Sequence, residues 1–246
     1  MSFADHFSQI ATRYAAYRPH YPPALVDALA ERADPTGVVW DVGCGNGQLS
    51  VALAERFRRV IATDPAQAQL DEAALHPRVE YRRASAEDSG LSAASIALVA
   101  AAQAAHWFDW PRFLAEVERV AVPGALVALV SYGNLVLEGP AGAEIERFHH
   151  VVAGPYWPAG RRHVENGYRD LVMPWPAVEA PPLEMTAAWT RDELLGYVSS
   201  WSATARLVDA HGPGPFDALR AALTAAWPDN EPRNLRWPLL VRLARR

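Results

Sequence analysis

Residues 37–47 read GVVWDVGCGNG, an apolar run that ends in an acid and three glycines. Its continuous apolar character, bounded by a Gly-rich turn, marks a strand buried on both faces. Gly43, Gly45 and Gly47 permit a tight turn and let a ligand approach the backbone. Residues 48–57, QLSVALAERF, follow as a helix whose N-terminus points at that ligand. The unit repeats. Strands are predicted at RVIATD (59–64), VEYRRAS (79–85), residues 95–103 and GALVALVSYG (124–133). Helical patterns at 24–33 and 65–75, and a helix capped by Asp109 with Pro111 in its first turn, alternate with them. A chain of this rhythm folds as a doubly wound α/β unit with a parallel sheet.

After residue 133 the rhythm changes. Residues 142–172 read as helix, Pro/Gly break, helix; 183–189 as a strand; 190–210 as one helix behind a Thr190 cap; 216–227 as a further helix. Residues 235–246 read as a terminal strand, and Pro238 suggests an edge position. One domain over 1–246 is expected, with an amino-terminal lid (1–23), a core (24–133), a helical cap (134–182 and 190–230) and terminal strands (183–189 and 235–246).

The formal net charge is −5 and the pI about 5.9, with no dense basic stripe, which argues against nucleic acid as a partner. All 23 basic residues are Arg, so Schiff-base and Walker lysines are excluded. Cys44 is the single cysteine, which rules out an internal disulfide and fits a reducing cytoplasm. The first residues lack a signal-peptide core, and no uncharged apolar stretch reaches the ~18 residues of a membrane span. A cytoplasmic protein, monomeric or homodimeric, is expected.

Asp64 ends the second strand, where an acid can bind both hydroxyls of a ribose; capping the next helix is its other reading. Asp41 stands two residues before the first glycine. A pyrophosphate is repelled by a carboxylate there, whereas an ammonium or sulfonium is attracted. The dinucleotide pattern G-x-G-x-x-G also fails, because residue 48 is Gln. An NAD-linked oxidoreductase is therefore the lesser reading.

Together, VVWDVGCGNGQLSVALAERF, VIATDPAQAQL, ASAED and AAQAAHWFD resemble a class I S-adenosylmethionine-dependent methyltransferase. They are most similar to the type 11 group that includes trans-aconitate methyltransferase-like proteins. YAAYRPHYP (14–22) and the tail WPLLVRLARR share that resemblance. It implies a Rossmann-like, seven-stranded, mostly parallel sheet with helices on both faces and a helical cap insertion. The implied cofactor is S-adenosylmethionine. Asp41 and the backbone of Gly43, Cys44 and Gly45 would hold its methionine part, and Asp64 the ribose. The Ala86 amide and Glu87 would meet the adenine, although Ser85 stands where many relatives carry Asp. Gln103 would lie near the methionine amino group. Arg18, in a lid with Tyr14 and Tyr17, would pair with a carboxylate of cofactor or substrate.

Methyl transfer is an in-line displacement that needs alignment and exclusion of water. Trp107 and Trp157 are candidate aromatic walls, because aromatic faces attract cations. His106 is the nearest candidate base, required only if the acceptor is not already ionised. Its alternative is a histidine satisfied in the core; for Trp107 and Phe108 it is packing under the next helix, and Phe108 and Trp110 are assigned to packing. Arg161 can grip an acidic acceptor. His149 and His150 are adjacent, about 100° apart on a helix, and complete no ligand set, so no metal is expected. The expectation is O-methylation of a small carboxylic acid or related metabolite. The rivals are the oxidoreductase, a nucleic-acid methyltransferase, and a cofactor-binding protein without turnover.

Overall fold

A computed structural model of the chain describes residues 19–246. The first half lays down five parallel strands. They are β1 (Val38–Val42), β2 (Arg59–Asp64), β3 (Val79–Arg83), β4 (Ile96–Ala102) and β5 (Ala121–Tyr132). Their order in the sheet is β3-β2-β1-β4-β5. The chain winds outward from β1 through β2 to β3, then returns to the other side of β1 with β4. That reversal opens a crevice at the carboxyl ends of β1 and β4, the place where open α/β sheets take ligands.

Period-two alternation decides which residues face which layer. Val39, Val60, Leu98, Ala100, Leu126 and Ala128 face a core that also holds Leu25 and Leu29 of α1 (Pro23–Ala30) and Leu49 and Leu53 of α2 (Gln48–Ala54). Trp40, Ile61, Val99, Val127 and Leu129 face the opposite core, against Phe113 and Val117 of α4 (Trp110–Val120). Trp40 is fully buried and donates its indole N–H to Thr63 Oγ1 at 2.9 Å. Between β2 and β3 lies the short α3 (Gln67–Asp71).

The second half adds α5 (Pro140–Arg147), a π turn at Phe148–Val152, α6 (Arg161–Glu165), β6 (Ala177–Val178), β7 (Leu183–Trp189), α7 (Arg191–Ser199), α8 (Ser202–His211), α9 (Gly214–Ala226) and β8 (Arg233–Arg245). Strand β8 runs antiparallel to β5, from Leu126↔Arg245 to Tyr132↔Leu239. On its other side β8 pairs with β7 and, over two residues, with β6. The two-residue β6 makes this an eight-stranded sheet; the other strands are the seven expected.

Two local expectations are corrected. Pro238 does not mark an edge, because β8 is flanked on both sides. Its missing N–H falls just beyond the last β5 pair, where only its carbonyl is used, by Gly133 N–H at 2.8 Å. The expected helix over 190–210 is two helices. Thr190 does cap the first with a full capping box to Glu193. At its end the Ser200 hydroxyl donates to Tyr197 O (2.6 Å), drawing that carbonyl away from the helical ladder. Trp201 then turns extended and buries its ring beside Trp157 (5.6 Å) and Tyr197 (5.6 Å).

Helix α4 is anchored at both ends. Asp109 caps it through Arg112 N–H, and Glu87 Oε1 accepts the N–H of Asp109 at 2.9 Å. Within it, buried Glu116 accepts from Ser89 N–H (2.9 Å), the Ser89 hydroxyl and Arg119 (2.7 Å). The Arg119 bonds hold its carboxyl down at about 2, below an ordinary value of 4.5. The stability it adds is thus present above about pH 4.5 and lost as pH falls towards 2. Glu116→Gln is expected to cost about 2 kcal/mol at neutral pH and to flatten the acid limb of a denaturation series run between those values.

Candidate active site

The glycine turn after β1 folds back on β2: the N–H groups of Gly43 and Cys44 both donate to Thr63 O, at 2.8 and 3.0 Å. Gly43 has φ +68°, and a Cβ there would lie 2.5 Å from the Cβ of Ala104. At Gly47 (φ +82°) a Cβ would fall 2.0 Å from the Tyr81 hydroxyl. Only glycine meets both demands at these positions.

Asp64 ties this turn to the end of β2. Its Oδ2 accepts from Gly45 N–H and its Oδ1 from Ala66 N–H, each at 2.9 Å. The N-cap of α3 is Ala66, so Asp64 braces the turn rather than capping that helix. Asp41 lies deeper, 1% exposed, and takes the Ser50 hydroxyl at 2.5 Å. Burial pushes its carboxyl up to about 7, against the pull of Ser50 and with a further push from the charge of Asp64. Burial first, then the charges of Asp41 and Asp64, raises the Cys44 thiol well above its usual value. Cys44 is therefore not an activated nucleophile.

These residues floor a cavity of about 310 Å³ at the carboxyl ends of β1, β2, β4 and β5. Ala86, Glu87 and Gln103 join Asp41, Gly43, Cys44, Gly45 and Asp64 around it. Tyr21, Trp107, Phe108 and Tyr132 supply aromatic surface. Phe108, assigned to packing, does both: it lines the cavity and packs on Phe113 at 4.9 Å. Trp110 packs on Phe113 at 5.4 Å and donates to Val172 O, as its assignment to packing required. Gln103, the residue after β4, has φ +54°, a left-handed conformation uncommon for a non-glycine residue.

A second cavity of about 140 Å³ shares the walls Gln103, Trp107 and Tyr132 with the first. His106, Trp157 and Arg161 all lie on it. The Nδ1 of His106 is 3.1 Å from the Tyr168 hydroxyl; its ring stacks on Tyr168 at 6.1 Å and lies tilted against Trp107 at 4.9 Å. Burial, then the charge of Arg161, lowers His106 to about 4, so the ring is neutral at physiological pH. His106 does not line the first cavity. Trp107 stays 45% exposed, a wall at the mouth rather than in the depth. Arg161 lies over the Trp157 ring (4.5 Å) and donates to Asn134 Oδ1 (2.7 Å). Arg18, Tyr14 and Tyr17 lie outside the described residues.

Sequence reasoning missed Tyr132, Asn134, His149, Trp201 and Arg206 on the second cavity. Tyr132 ends a strand beside Gln103 and was within reach of the strand-end rule. His149, Trp201 and Arg206 depend on the π turn and on the break at Ser200, which leave no period in the sequence, and Asn134 lies in the loop just after β5.

The family model described as a methyltransferase domain matches residues 40–129, the stretch that builds the first cavity's floor. A solved structure of a protein from Anaeromyxobacter dehalogenans, named as a type II methyltransferase, is 46% identical. It superposes with a TM-score of 0.88, over 94% of this chain and 98% of that one. The chain belongs to the class I S-adenosylmethionine-dependent methyltransferases. A Dictyostelium discoideum protein named as a methyltransferase is 28% identical over 229 residues, 92% of this chain and 87% of its own. Among the described residues no helix is long and apolar enough to cross a membrane.

The cofactor of this methyltransferase is S-adenosylmethionine, and the chemistry of the first cavity fits it. The Asp64 carboxylate suits a ribose diol, Asp41 attracts a cation, and the aromatic surface suits a sulfonium. Raised to about 7, Asp41 favours the folded state fully below about pH 4, and that contribution is lost as pH rises through 7. Asp41→Asn should therefore remove a fall in stability on the order of 2–4 kcal/mol between those values. Urea titrations of both proteins across the window measure it; parallel curves would refute the assignment.

Proposed function

We propose that this methyltransferase O-methylates a small carboxylic acid held in the second cavity. The observation that carries this reading is the charge of that cavity. Its charged lining among the described residues is Arg161 and Arg206, with no carboxylate, while His106 is held neutral. Such a lining favours an anion and disfavours an amine, which would bring positive charge beside two guanidinium groups. The volume of about 140 Å³ suits a small metabolite rather than a nucleic acid. An acid acceptor also agrees with the resemblance of the motifs to trans-aconitate methyltransferase-like proteins.

When bound, S-adenosylmethionine supplies a methyl group on a sulfonium, an electrophile for in-line displacement. In this proposal Asp64 holds the ribose, while Asp41 and the Gly43–Gly45 backbone hold the methionine part. Ala86 and Glu87 border the adenine, although Glu87 also spends one oxygen on Asp109 N–H. Gln103 and Trp107, common to both cavities, align acceptor with methyl group and exclude water. Arg161 and Arg206 hold the acceptor. Arg161 is steadied by Asn134, Trp157 and an ion pair to Glu165 outside the cavity lining (3.3 Å), whereas Arg206 is exposed and has no bonded partner among the described residues. A carboxylate is already ionised, so no proton moves and no base is required. His106, tied to Tyr168, then orients the wall instead of taking a proton.

Two measurements test this. Asp64→Ala should weaken S-adenosylmethionine binding at least about tenfold by calorimetry; unchanged affinity would exclude Asp64 from the cofactor site. A panel of short-chain acids and amines, followed by release of S-adenosylhomocysteine, should show turnover with acids. Arg206→Ala should raise the acid's KM about tenfold and leave cofactor affinity unchanged. Turnover of amines alone would reverse the proposal.

A further inference from the structure

His149 is a buried polar side chain that nothing so far employs. It is 5% exposed and lines the second cavity. It sits on the π turn Phe148–Val152, closed by Ala153 N–H donating to Phe148 O at 2.8 Å. Single π turns recur at functional sites, because the extra residue re-aims a side chain. Here the ring packs between Trp157, at 4.9 Å, and the edge of Trp201, at 5.3 Å. Neither offers it a hydrogen bond: the Trp157 indole N–H goes to the backbone carbonyl of His149. Both ring nitrogens, Nδ1 and Nε2, are buried without a partner.

A neutral imidazole carries one donor and one acceptor. Native structures seldom leave both unmet, and each such group calls for a cause: strain, a functional role, or a bound water or ion. Burial and the nearby Arg161 keep this ring neutral. A packing role alone would be better served by Phe or Leu, which leave no buried polar atom. Arg161 and Arg206 line the same cavity, so an anion gripped by them lies in a space that His149 also borders.

We propose that His149 is an acceptor-binding, specificity-determining residue whose imidazole hydrogen-bonds an oxygen of the methyl acceptor. The oxygen is a hydroxyl or a further carboxyl group. The inference rests on the reading of the second cavity as the acceptor site. A neutral imidazole serves either oxygen group, because it both donates and accepts. An unsubstituted alkyl acid leaves both nitrogens unpaired and binds less well.

The test uses protein saturated with S-adenosylhomocysteine. Short-chain hydroxy acids and dicarboxylates are titrated by calorimetry, each beside the unsubstituted monocarboxylate of the same length. The wild type should bind at least one oxygen-bearing series about tenfold more tightly than its plain partners, and His149→Phe should erase that difference. His149→Gln should restore part of it. The affinity for S-adenosylhomocysteine should not change, since His149 does not line the first cavity. The melting temperature of His149→Phe should equal or exceed that of the wild type, because the ring is kept and the unmet nitrogens are removed. Should that variant not fold, ring ¹⁵N shifts of His149 in the wild type decide: they should move with an oxygen-bearing acid and not with its plain partner. Acids that bind while His149→Phe keeps the preference, or ¹⁵N shifts that stay still, overturn the role of His149 alone. Failure of every acid to bind the wild type overturns this inference and the acceptor reading together.

Discussion

The carboxylate of Asp64 holds the glycine turn in place, and much of the site follows from it. One oxygen accepts from Gly45 and the other from Ala66, so a single side chain joins the loop after β1 to the end of β2. The same turn is pinned from beneath by the carbonyl of Thr63. A three-glycine turn is entropically costly to order, and these bonds offset that cost without adding a side chain to fill the cavity. The closure also buries Asp41 under the turn, which is why its carboxyl rises to about 7, while burial raises Asp64 against the pull of its two amide donors. Two carboxylates on one cavity floor are mutually repulsive, and a cationic ligand relieves that repulsion.

The second constraint is the exit from β4. A left-handed residue at Gln103 turns the chain off the sheet, a short helical turn at Ala105–Trp107 follows, and Asp109 starts α4. Glu87 holds Asp109 from the loop after β3. Within these few residues the backbone sets out Gln103 and Trp107 on both cavities, Phe108 on the first and His106 on the second. The strain at Gln103 is local and the bracing is distributed, the usual division where geometry must be held for function.

What was legible follows the distance over which each signal acts. The parallel strands were readable because burial on both faces writes a continuous apolar run, as at IALVAAA in β4. The glycine turn was readable because φ > 0 restricts residue choice at Gly43 and Gly47. Asp64 was readable by position, although its bracing bonds to Gly45 and Ala66 were not. The second cavity was much less so. Trp157 and Arg161 stood out by type, but Asn134, His149, Trp201 and Arg206 converge only through tertiary packing. The break at Ser200 shows why. Residues 190–210 have the composition of one helix, and a single hydroxyl bonding to Tyr197 O helps divide it. Pro238 misled for a related reason: a proline is excluded only where its N–H is needed, and here the β5 ladder ends one residue away.

The two cavities differ in charge, and that difference has a mechanical consequence. Carboxylates floor the first and guanidinium groups line the second, with Gln103, Trp107 and Tyr132 between them. The dividing side chains are uncharged, so neither field is neutralised at the boundary. A cationic ligand on one side and an anionic one on the other are then drawn to their own cavities, and each is disfavoured in the other's. Arg161 also acts on its neighbours, since its charge helps keep His106 and His149 neutral. A protonated histidine there would add positive charge but lose its acceptor nitrogen. In the proposed acceptor site a neutral His149 would hydrogen-bond by shape and direction, leaving attraction to the arginines and discrimination to that imidazole, while His106 stays tied to Tyr168.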